Sequence, residues 1–188
     1  MQITKTDFMT FRSCASDFWM KKHKPNLFEN CKPTEFEQQL IVQGYEVELL
    51  AQKLFPSGVD AKLTDSTQLS KLLRTQDVVL FQPTFYASNL QARVDILKVG
   101  EDGLHIYEVK GSTSKDTPKE DNLWDAGFQK EVIERAAHIV SKVFLVVLNK
   151  DFIKDGPIIP SEIFVIRDIT QEIFDNHIRD KFFVEFIL

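Results

Sequence analysis

Apolar residues along this chain follow helical spacing towards both ends and strand-like spacing in the middle. This order of elements predicts an α/β protein in which helices flank a central mixed sheet of about five strands. Helices are predicted over residues 6–22, 34–54, 65–74, 118 or 123 to 140, and 170–186, and strands over residues 77–86, 92–99, 104–111, 142–149 and 162–167.

Four residues interrupt these apolar patterns, and each predicts a specific contact. Pro83 cannot donate to a strand ladder, so we expect a bulge or a sheet edge there. Gly44 lies in a helix interior, where glycine costs about 1 kcal/mol, which predicts the close approach of another element. Glu48 and Gln129 lie on apolar helix stripes and need polar partners. The alternatives are a helix-edge Glu48 paired with a lysine, and a surface or capped position for Gln129.

The two central strands are joined by Gly-Glu-Asp-Gly, a short loop that is typical of a hairpin. If Val99 lies opposite Leu104, the antiparallel register places Asp95 directly opposite Glu108. Side chains two residues apart in a strand point the same way, so Lys110 joins them, about 7 Å along the strand. The pattern therefore predicts two carboxylates and one lysine on a single face.

Two directly opposed carboxylates destabilise a sheet unless something compensates their charge. A divalent cation would do so, and oxygen ligands on adjacent strands suit Mg²⁺ or Mn²⁺. Lys110 would then orient or deprotonate a water and stabilise charge developing on a phosphate. These residues predict phosphodiester hydrolysis; the alternative is a solvated hairpin whose charges pair with one another.

The length of 188 residues and the hydrophobic content of 43% predict one globular domain over residues 1–188, with a full apolar core. Cys14 and Cys31 are the only cysteines, which argues against a disulfide framework or a structural zinc site and favours a reducing cytoplasm. No run approaches the ~18 apolar residues of a membrane span, and the N-terminus lacks a signal-peptide core, so no membrane partner is expected.

The net charge of −5 disfavours tight non-specific binding to nucleic acid, which depends on lysine and arginine. An empty metal site would contribute several of the negative charges. Local basic residues that could flank a substrate groove, or lie on a solvated surface, are Lys21, Lys22, Lys24, Lys115 and Lys119.

Asp95 followed by Glu108-Val109-Lys110 resembles the PD-(D/E)XK nuclease superfamily, and the surrounding sequence resembles its RecB-type exonuclease branch. It is similar also to the nuclease-like N-terminal region of a bacterial protein family of unknown function. The resemblance covers roughly residues 1–170 and leaves the last helix, about 170–188, outside. It implies a restriction-endonuclease-like three-layer sandwich in which the second helix packs across the sheet face that carries the carboxylates.

The resemblance also implies roles for individual residues. Gly44-x-x-x-Glu48 is similar to a motif that supplies the first metal ligand, which Asp95, Glu108 and the Val109 carbonyl would complete. Gln129 matches the glutamine of a Q-x-x-x-Y motif and would position the substrate or Lys110. Two positions depart from the pattern, Ile133 in place of the tyrosine and Gln82 where related sequences tend to carry glutamate.

The opening helix, I-T-K-T-D-F-M-T-F-R-S-C, is similar to that of RecB-type enzymes in which a comparable cysteine joins three C-terminal ones around an iron-sulfur cluster. No cysteine follows Cys31, so no cluster is expected, and Cys14 is predicted to be a small core residue.

The predicted function is a divalent-metal-dependent deoxyribonuclease that acts exonuclease-like on DNA ends or single strands. The alternative is a catalytically degenerate nuclease fold that binds nucleic acid or serves as a scaffold, because fold alone does not define function. A phosphohydrolase of sugars or nucleotides is a more remote alternative. Related proteins are usually longer, so an additional domain or a partner protein is also expected.

Overall fold

The structure, a computed structural model, describes residues 2–28, 33–113 and 117–175. Its helices are α1 (Lys5–Ser13), α2 (Ala15–His23), α3 (Pro25–Phe28), α4 (Glu35–Gln52), α5 (Ser66–Leu72), α6 (Glu120–Arg135), α7 (Pro160–Ile163) and α8 (Thr170–Asp175). Its strands are β1 (Ile3–Thr4), β2 (Val59–Asp60), β3 (Val79–Phe81), β4 (Thr84–Ala87), β5 (Leu90–Arg93), β6 (Ile96–Val99), β7 (Leu104–Thr113), β8 (Val140–Leu148) and β9 (Phe164–Asp168).

The strands form two sheets, which corrects the prediction of one sheet of about five strands. The larger sheet has six strands in the order β2-β3-β6-β7-β8-β9, and the smaller has three in the order β1-β5-β4. Both sheets are mixed, since β7 pairs parallel with β8 and antiparallel with β6, while β5 pairs parallel with β1 and antiparallel with β4. The prediction of a mixed α/β architecture is confirmed.

The two sheets separate because the chain changes direction at Gln82 and Pro83. Gln82 has a φ of 54°, in the left-handed region, and Pro83 has no N–H to donate. The interruption predicted at Pro83 is confirmed, and it divides the expected strand over residues 77–86 into β3 and β4. The facing strand is interrupted at the same level, between β5 and β6, and the Gln82 N–H donates to the Asp95 carbonyl at 3.0 Å.

The β6–β7 hairpin has the register that the sequence predicts. Val99 pairs with Leu104 and Ile96 pairs with Tyr107 across the antiparallel ladder. Gly103 has a φ of 138°, a conformation that side chains rarely allow, which explains a glycine at the end of the turn. One further step of this register places Asp95, the residue before β6, opposite Glu108.

Helices pack on both faces of the six-stranded sheet, and each face has its own apolar core. On one face Leu97 and Ile106 pack with Phe128 of α6 and with Phe8 of α1. On the other face Ile96 packs beneath the C-terminal half of α4. Because strand side chains alternate between faces, Glu108 lies on the same face as Ile106, towards α6.

Three helix predictions are wrong in part. The helix expected over residues 6–22 is broken at Cys14, which has an extended backbone (φ −157°, ψ 107°) and is partly exposed rather than a core residue. Among the described residues, no atom outside the helix backbone lies within 4 Å of a Cβ built on Gly44, so none of the described elements approaches it. Phe36 and Leu40, expected on a buried stripe, are 67% and 50% exposed, because only the C-terminal half of α4 packs on the sheet.

The predicted C-terminal helix is described only as far as α8, and residues 176–188 lie outside the described part of the chain, as do Cys31 and Lys115. Among the helices that the structure describes, none is long and apolar enough to cross a membrane.

Candidate active site

Glu108 forms the centre of a buried ionic cluster and is only 1% exposed. Its Oε1 lies 2.7 Å from the Nζ of Lys110 and 3.0 Å from the Nζ of Lys5, and its Oε2 accepts a hydrogen bond from the Gln129 amide. Burial alone would raise the pKa of Glu108, but the charges of Lys5 and Lys110 and these hydrogen bonds hold the pKa well below its usual range. Glu108 is therefore ionised.

Asp95 lies in the gap between β5 and β6 and is the second carboxylate of the predicted pair. Its Oδ2 accepts a hydrogen bond of 2.9 Å from the Val109 N–H, so Val109 contacts Asp95 through its amide nitrogen. Burial and the negative charge of Glu108 raise the pKa of Asp95 to about 8, against the favourable charge of Lys5. At neutral pH without a bound cation, Asp95 is mostly protonated.

Asp125 on α6 completes the cluster, although the sequence analysis did not single it out. Its Oδ2 accepts a hydrogen bond from Lys110, and its Oδ1 lies 3.1 Å from the Nζ of Lys5. Burial and the charge of Glu108 raise the pKa of Asp125. Burial would lower the pKa of both lysines, but the facing carboxylates raise it, so the two ammonium groups stay charged between Glu108 and Asp125.

Gln129 lies one helical turn after Asp125 and is fully buried. The partner required for a buried glutamine is Glu108. The Gln129 Oε1 is buried and accepts no hydrogen bond from any residue that the structure describes. Ile133, which stands at the tyrosine position of the motif, is fully buried in the apolar core.

Glu48 reaches the site from a different direction than the resemblance implies. Helix α4 packs against the face that carries Tyr107 and Val109, opposite to Glu108, so the expectation that it crosses the carboxylate-bearing face is wrong. Glu48 is half-buried, and its Oε1 accepts a hydrogen bond of 2.5 Å from the Gln82 amide. Its negative charge contributes to the raised pKa of Asp95, so the two carboxylates interact through space.

The structure thus brings Asp95, Glu108, Lys110 and Gln129 together and leaves Glu48 at the margin. Within residues 2–28, 33–113 and 117–175, no three His, Cys, Asp or Glu side chains converge as a group that could hold a metal. Both lysines contact the same oxygen of Glu108, Oε1.

The donor chemistry of the site nevertheless fits Mg²⁺ or Mn²⁺. Hard divalent cations take carboxylate and carbonyl oxygens, and Asp95 and Glu108 supply carboxylates from adjacent chain segments. The raised pKa of Asp95 indicates that its negative charge lacks sufficient compensation. The unpartnered Oε1 of Gln129 is a buried acceptor that a metal-bound water would satisfy.

Lys5 and Asp125 are the site residues that sequence reasoning missed. A signal for Asp125 was present, because it precedes Gln129 by four residues and so shares its helix face. Lys5 offered no such signal. Its place beside Glu108, 103 positions away, depends on the Thr4–Asp7 capping box that starts α1 and on the packing of α1 against α6.

Two of the lysines expected to flank a groove have structural roles instead. Lys21 and Lys22 lie 3.1 and 2.6 Å from the carboxylate oxygens of Asp7, which is itself buried. These ion pairs join α2 to α1, and the hydrogen bonds from Lys22 and Thr4 lower the pKa of Asp7 to about 2 despite the opposing effect of burial. Lys24 and Lys119 are exposed.

Comparison with models of known protein families gives no match, and comparison with curated proteins gives none. Among solved structures, the chain is similar to the crystal structure of SSO0001, with a TM-score of 0.44 and 14% sequence identity over 85% of this chain and 70% of that chain. A similarity this low assigns neither family nor activity.

Proposed function

We propose that this chain is a divalent-metal-dependent deoxyribonuclease with a restriction-endonuclease-like fold, acting on DNA ends or single strands. The fold assignment is supported by a mixed sheet with helices on both faces and by the central β6–β7 hairpin. The single observation that carries the function is the arrangement of Asp95 opposite Glu108, with Lys110 on the same strand as Glu108 and contacting it at 2.7 Å.

The cation would be held by Asp95, Glu108 and Glu48 together with the Val109 carbonyl. When bound, it supplies positive charge for the phosphate and lowers the pKa of water at the site. Asp95 would have to lose its proton to serve as a ligand, and Glu108 would have to lose an ammonium contact. Glu48 exchanges its hydrogen bond with Gln82 for the same purpose.

Lys110 and Lys5 would then be available to the substrate. An ammonium group released from Glu108 stays close to it, because the Asp125 carboxylate holds both lysines from the other side. In this position Lys110 orients the attacking water and compensates the charge that develops on the phosphate. Gln129 fixes the carboxylate of Glu108 throughout, because its amide donates to Oε2.

A second candidate function is a non-catalytic domain that binds nucleic acid or serves as a scaffold. The observation that favours it is the neutralisation of Glu108 by two lysines, which makes the cluster a stable ion-pair network without any cation. Gln82 and Ile133 also favour the non-catalytic function, because each stands where the related sequences carry a different residue.

Cleavage of end-labelled single- and double-stranded DNA in Mn²⁺, Mg²⁺ or EDTA tests the proposal. Wild type is compared with Asp95→Asn and Lys110→Ala, and the exposed residues Glu101 and Lys142 provide the matched controls Glu101→Gln and Lys142→Ala. We expect metal-dependent cleavage by wild type and both controls, and a loss of at least about 100-fold in the two site variants.

Cleavage that persists in Asp95→Asn and Lys110→Ala would contradict the assignment of these residues. If no protein cleaves DNA but wild type binds Mn²⁺, an additional domain or partner protein is required. If no protein cleaves DNA and wild type does not bind Mn²⁺, the scaffold function is favoured.

A further inference from the structure

A polar cleft opens beside the carboxylate cluster, between the first turn of α1 and strand β5. Its volume is about 270 Å³. Asp95 is the acidic residue among those described residues that line it. The lining residues are Thr4, Lys5, Thr6, Gln91, Arg93 and Asp95.

The cleft concentrates positive charge in a chain whose net charge is −5. Lys5 and Arg93 both line it, and Lys5 is the residue that also contacts Glu108 and Asp125. The cleft is therefore continuous with the cluster through Lys5 on one wall and Asp95 on the other.

Arg93 is the cleft residue with a free charge. It is exposed at the end of β5, and within the described ranges it forms no ion pair with any carboxylate. Its planar guanidinium can donate two parallel hydrogen bonds to a phosphate, an arrangement that a lysine ammonium cannot reproduce. The Gln91 amide and the Thr4 and Thr6 hydroxyls also line the cleft, and these neutral groups suit phosphate or sugar oxygens.

The spacing of Arg93 and Asp95 suits a chain of phosphates better than a single one. Both residues line the cleft, and one residue, the buried Val94, separates them along the chain, so their Cα atoms are at most about 7 Å apart. This distance is comparable to the separation of successive phosphates in an extended single strand. A strand with one phosphate at Asp95 would thus present the next one to Arg93.

We propose that this cleft binds a single nucleic-acid strand, with Arg93 holding the phosphate next to the one that is cut and Lys5 lying between the two. The inference rests on the proposed function, because it assumes that the scissile phosphate lies at Asp95. It adds a binding residue outside the carboxylate cluster and a direction for the strand, away from α6 and along β5.

The test is a fluorescence-anisotropy titration of a labelled 12-nucleotide single-stranded DNA in EDTA, at several salt concentrations. Wild type is compared with Arg93→Gln, Arg93→Lys and the control Arg74→Gln, which alters an exposed arginine outside the cleft. Inorganic phosphate and a mononucleotide serve as competitors, to separate recognition of a strand from recognition of one phosphate group.

We expect Arg93→Gln to weaken binding about tenfold and to reduce the salt dependence by about 0.7 in the slope of log K against log salt, because one phosphate contact is lost. Arg93→Lys should recover the salt slope and only part of the affinity. Arg74→Gln should match wild type. Thermal melts monitored by circular dichroism check that every variant is folded.

Equal binding by wild type and Arg93→Gln would overturn the cleft assignment while leaving the nuclease proposal intact. Competition by a mononucleotide as strong as competition by the strand would also overturn it, because a single phosphate would then account for binding. If wild type does not bind DNA at all, the cleft assignment and the DNA substrate fail together. Cleavage by wild type, measured separately, distinguishes these cases.

Discussion

The two faces of the six-stranded sheet differ in how completely their polar groups are paired. Towards α6, Glu108 is surrounded by Lys5, Lys110 and Gln129. Towards α4, Glu48 has a hydrogen bond from Gln82, and the N-terminal turns of the helix are exposed. On the α6 side two lysines therefore compensate the charge of Glu108, although the buried Oε1 of Gln129 accepts no hydrogen bond from the described residues. On the α4 side the partner of Glu48 is an amide, and within the described ranges no lysine pairs with it.

Asp95 lies between these two environments and experiences the charges of both Glu108 and Glu48. Burial and the charges of Glu108 and Glu48 raise its pKa, and Lys5 compensates only part of this effect. A cation that binds here must therefore compensate Asp95 and compete with the lysines for Glu108.

The largest difference between the faces should appear when each glutamate is neutralised. Glu108→Gln removes one of the two carboxylates that Lys5 and Lys110 share and leaves them with Asp125. We expect a loss of about 2 kcal/mol in the free energy of unfolding, because the lysines keep Asp125 and some access to water. Glu48→Gln should cost less than about 0.5 kcal/mol. Urea denaturation in EDTA at pH 7 measures the free energy of unfolding of both variants. Equal losses of stability in the two variants would contradict the difference between the two faces of the sheet.

The pH dependence of stability should isolate Asp95. Because its pKa rises from 3.8 to about 8 on folding, the folded protein retains a proton that the unfolded chain has lost between those values. Stability contributed by this group therefore falls as pH rises from about 4 to about 8. Asp95→Asn cannot ionise, so it should abolish this pH-dependent loss of stability, and its amide oxygen can still accept a hydrogen bond from the Val109 N–H.

In EDTA, we expect the melting temperatures of Asp95→Asn and wild type to agree at pH 4 and to differ by roughly 10 °C at pH 8.5, with the variant more stable. The lowered pKa of Glu108 acts in the opposite direction, with stability lost as pH falls, but it is present in both proteins. A difference that does not change with pH would show that Asp95 is ionised in the folded state.

The smallest predicted effect concerns the exposed half of α4. Gly44→Ala should stabilise the protein by about 0.5–1 kcal/mol, because alanine favours the helix and a Cβ there meets none of the described elements within 4 Å. Gly58→Ala is the contrasting variant, since a Cβ there would overlap the Phe81 ring and should destabilise. Destabilisation by Gly44→Ala in a thermal melt would indicate that another element covers this part of α4.

The features that the sequence predicts well are those set by neighbouring residues. The hairpin register follows from a short loop with glycine at both ends, and the break at Pro83 follows from the missing N–H. Alternation along β7 then places Glu108 and Lys110 on one face. None of these inferences requires knowledge of how distant elements pack.

The features that the sequence does not predict depend on packing between distant elements. Lys5 reaches Glu108 because the capping box starts α1 at Lys5 and because α1 packs on α6, and the sequence does not indicate this packing. The sheet face on which α4 packs likewise depends on its own residues Val47 and Ala51, which contact the sheet. Phe36 and Leu40 of the same helix are exposed and do not determine it. Periodicity identifies an apolar stripe but not the part of it that is covered.

The most direct test of the account is a calorimetric titration of Mn²⁺ at pH 7 into wild type, Asp95→Asn, Glu108→Gln and the control Glu101→Gln, in two buffers of different ionisation enthalpy. We predict one Mn²⁺ site in wild type and in the control, with release of nearly one proton because Asp95 is mostly protonated beforehand, and no binding by the two site variants. Absence of Mn²⁺ binding by wild type, or equal binding by all four proteins, would contradict the claim that Asp95 and Glu108 form a metal site.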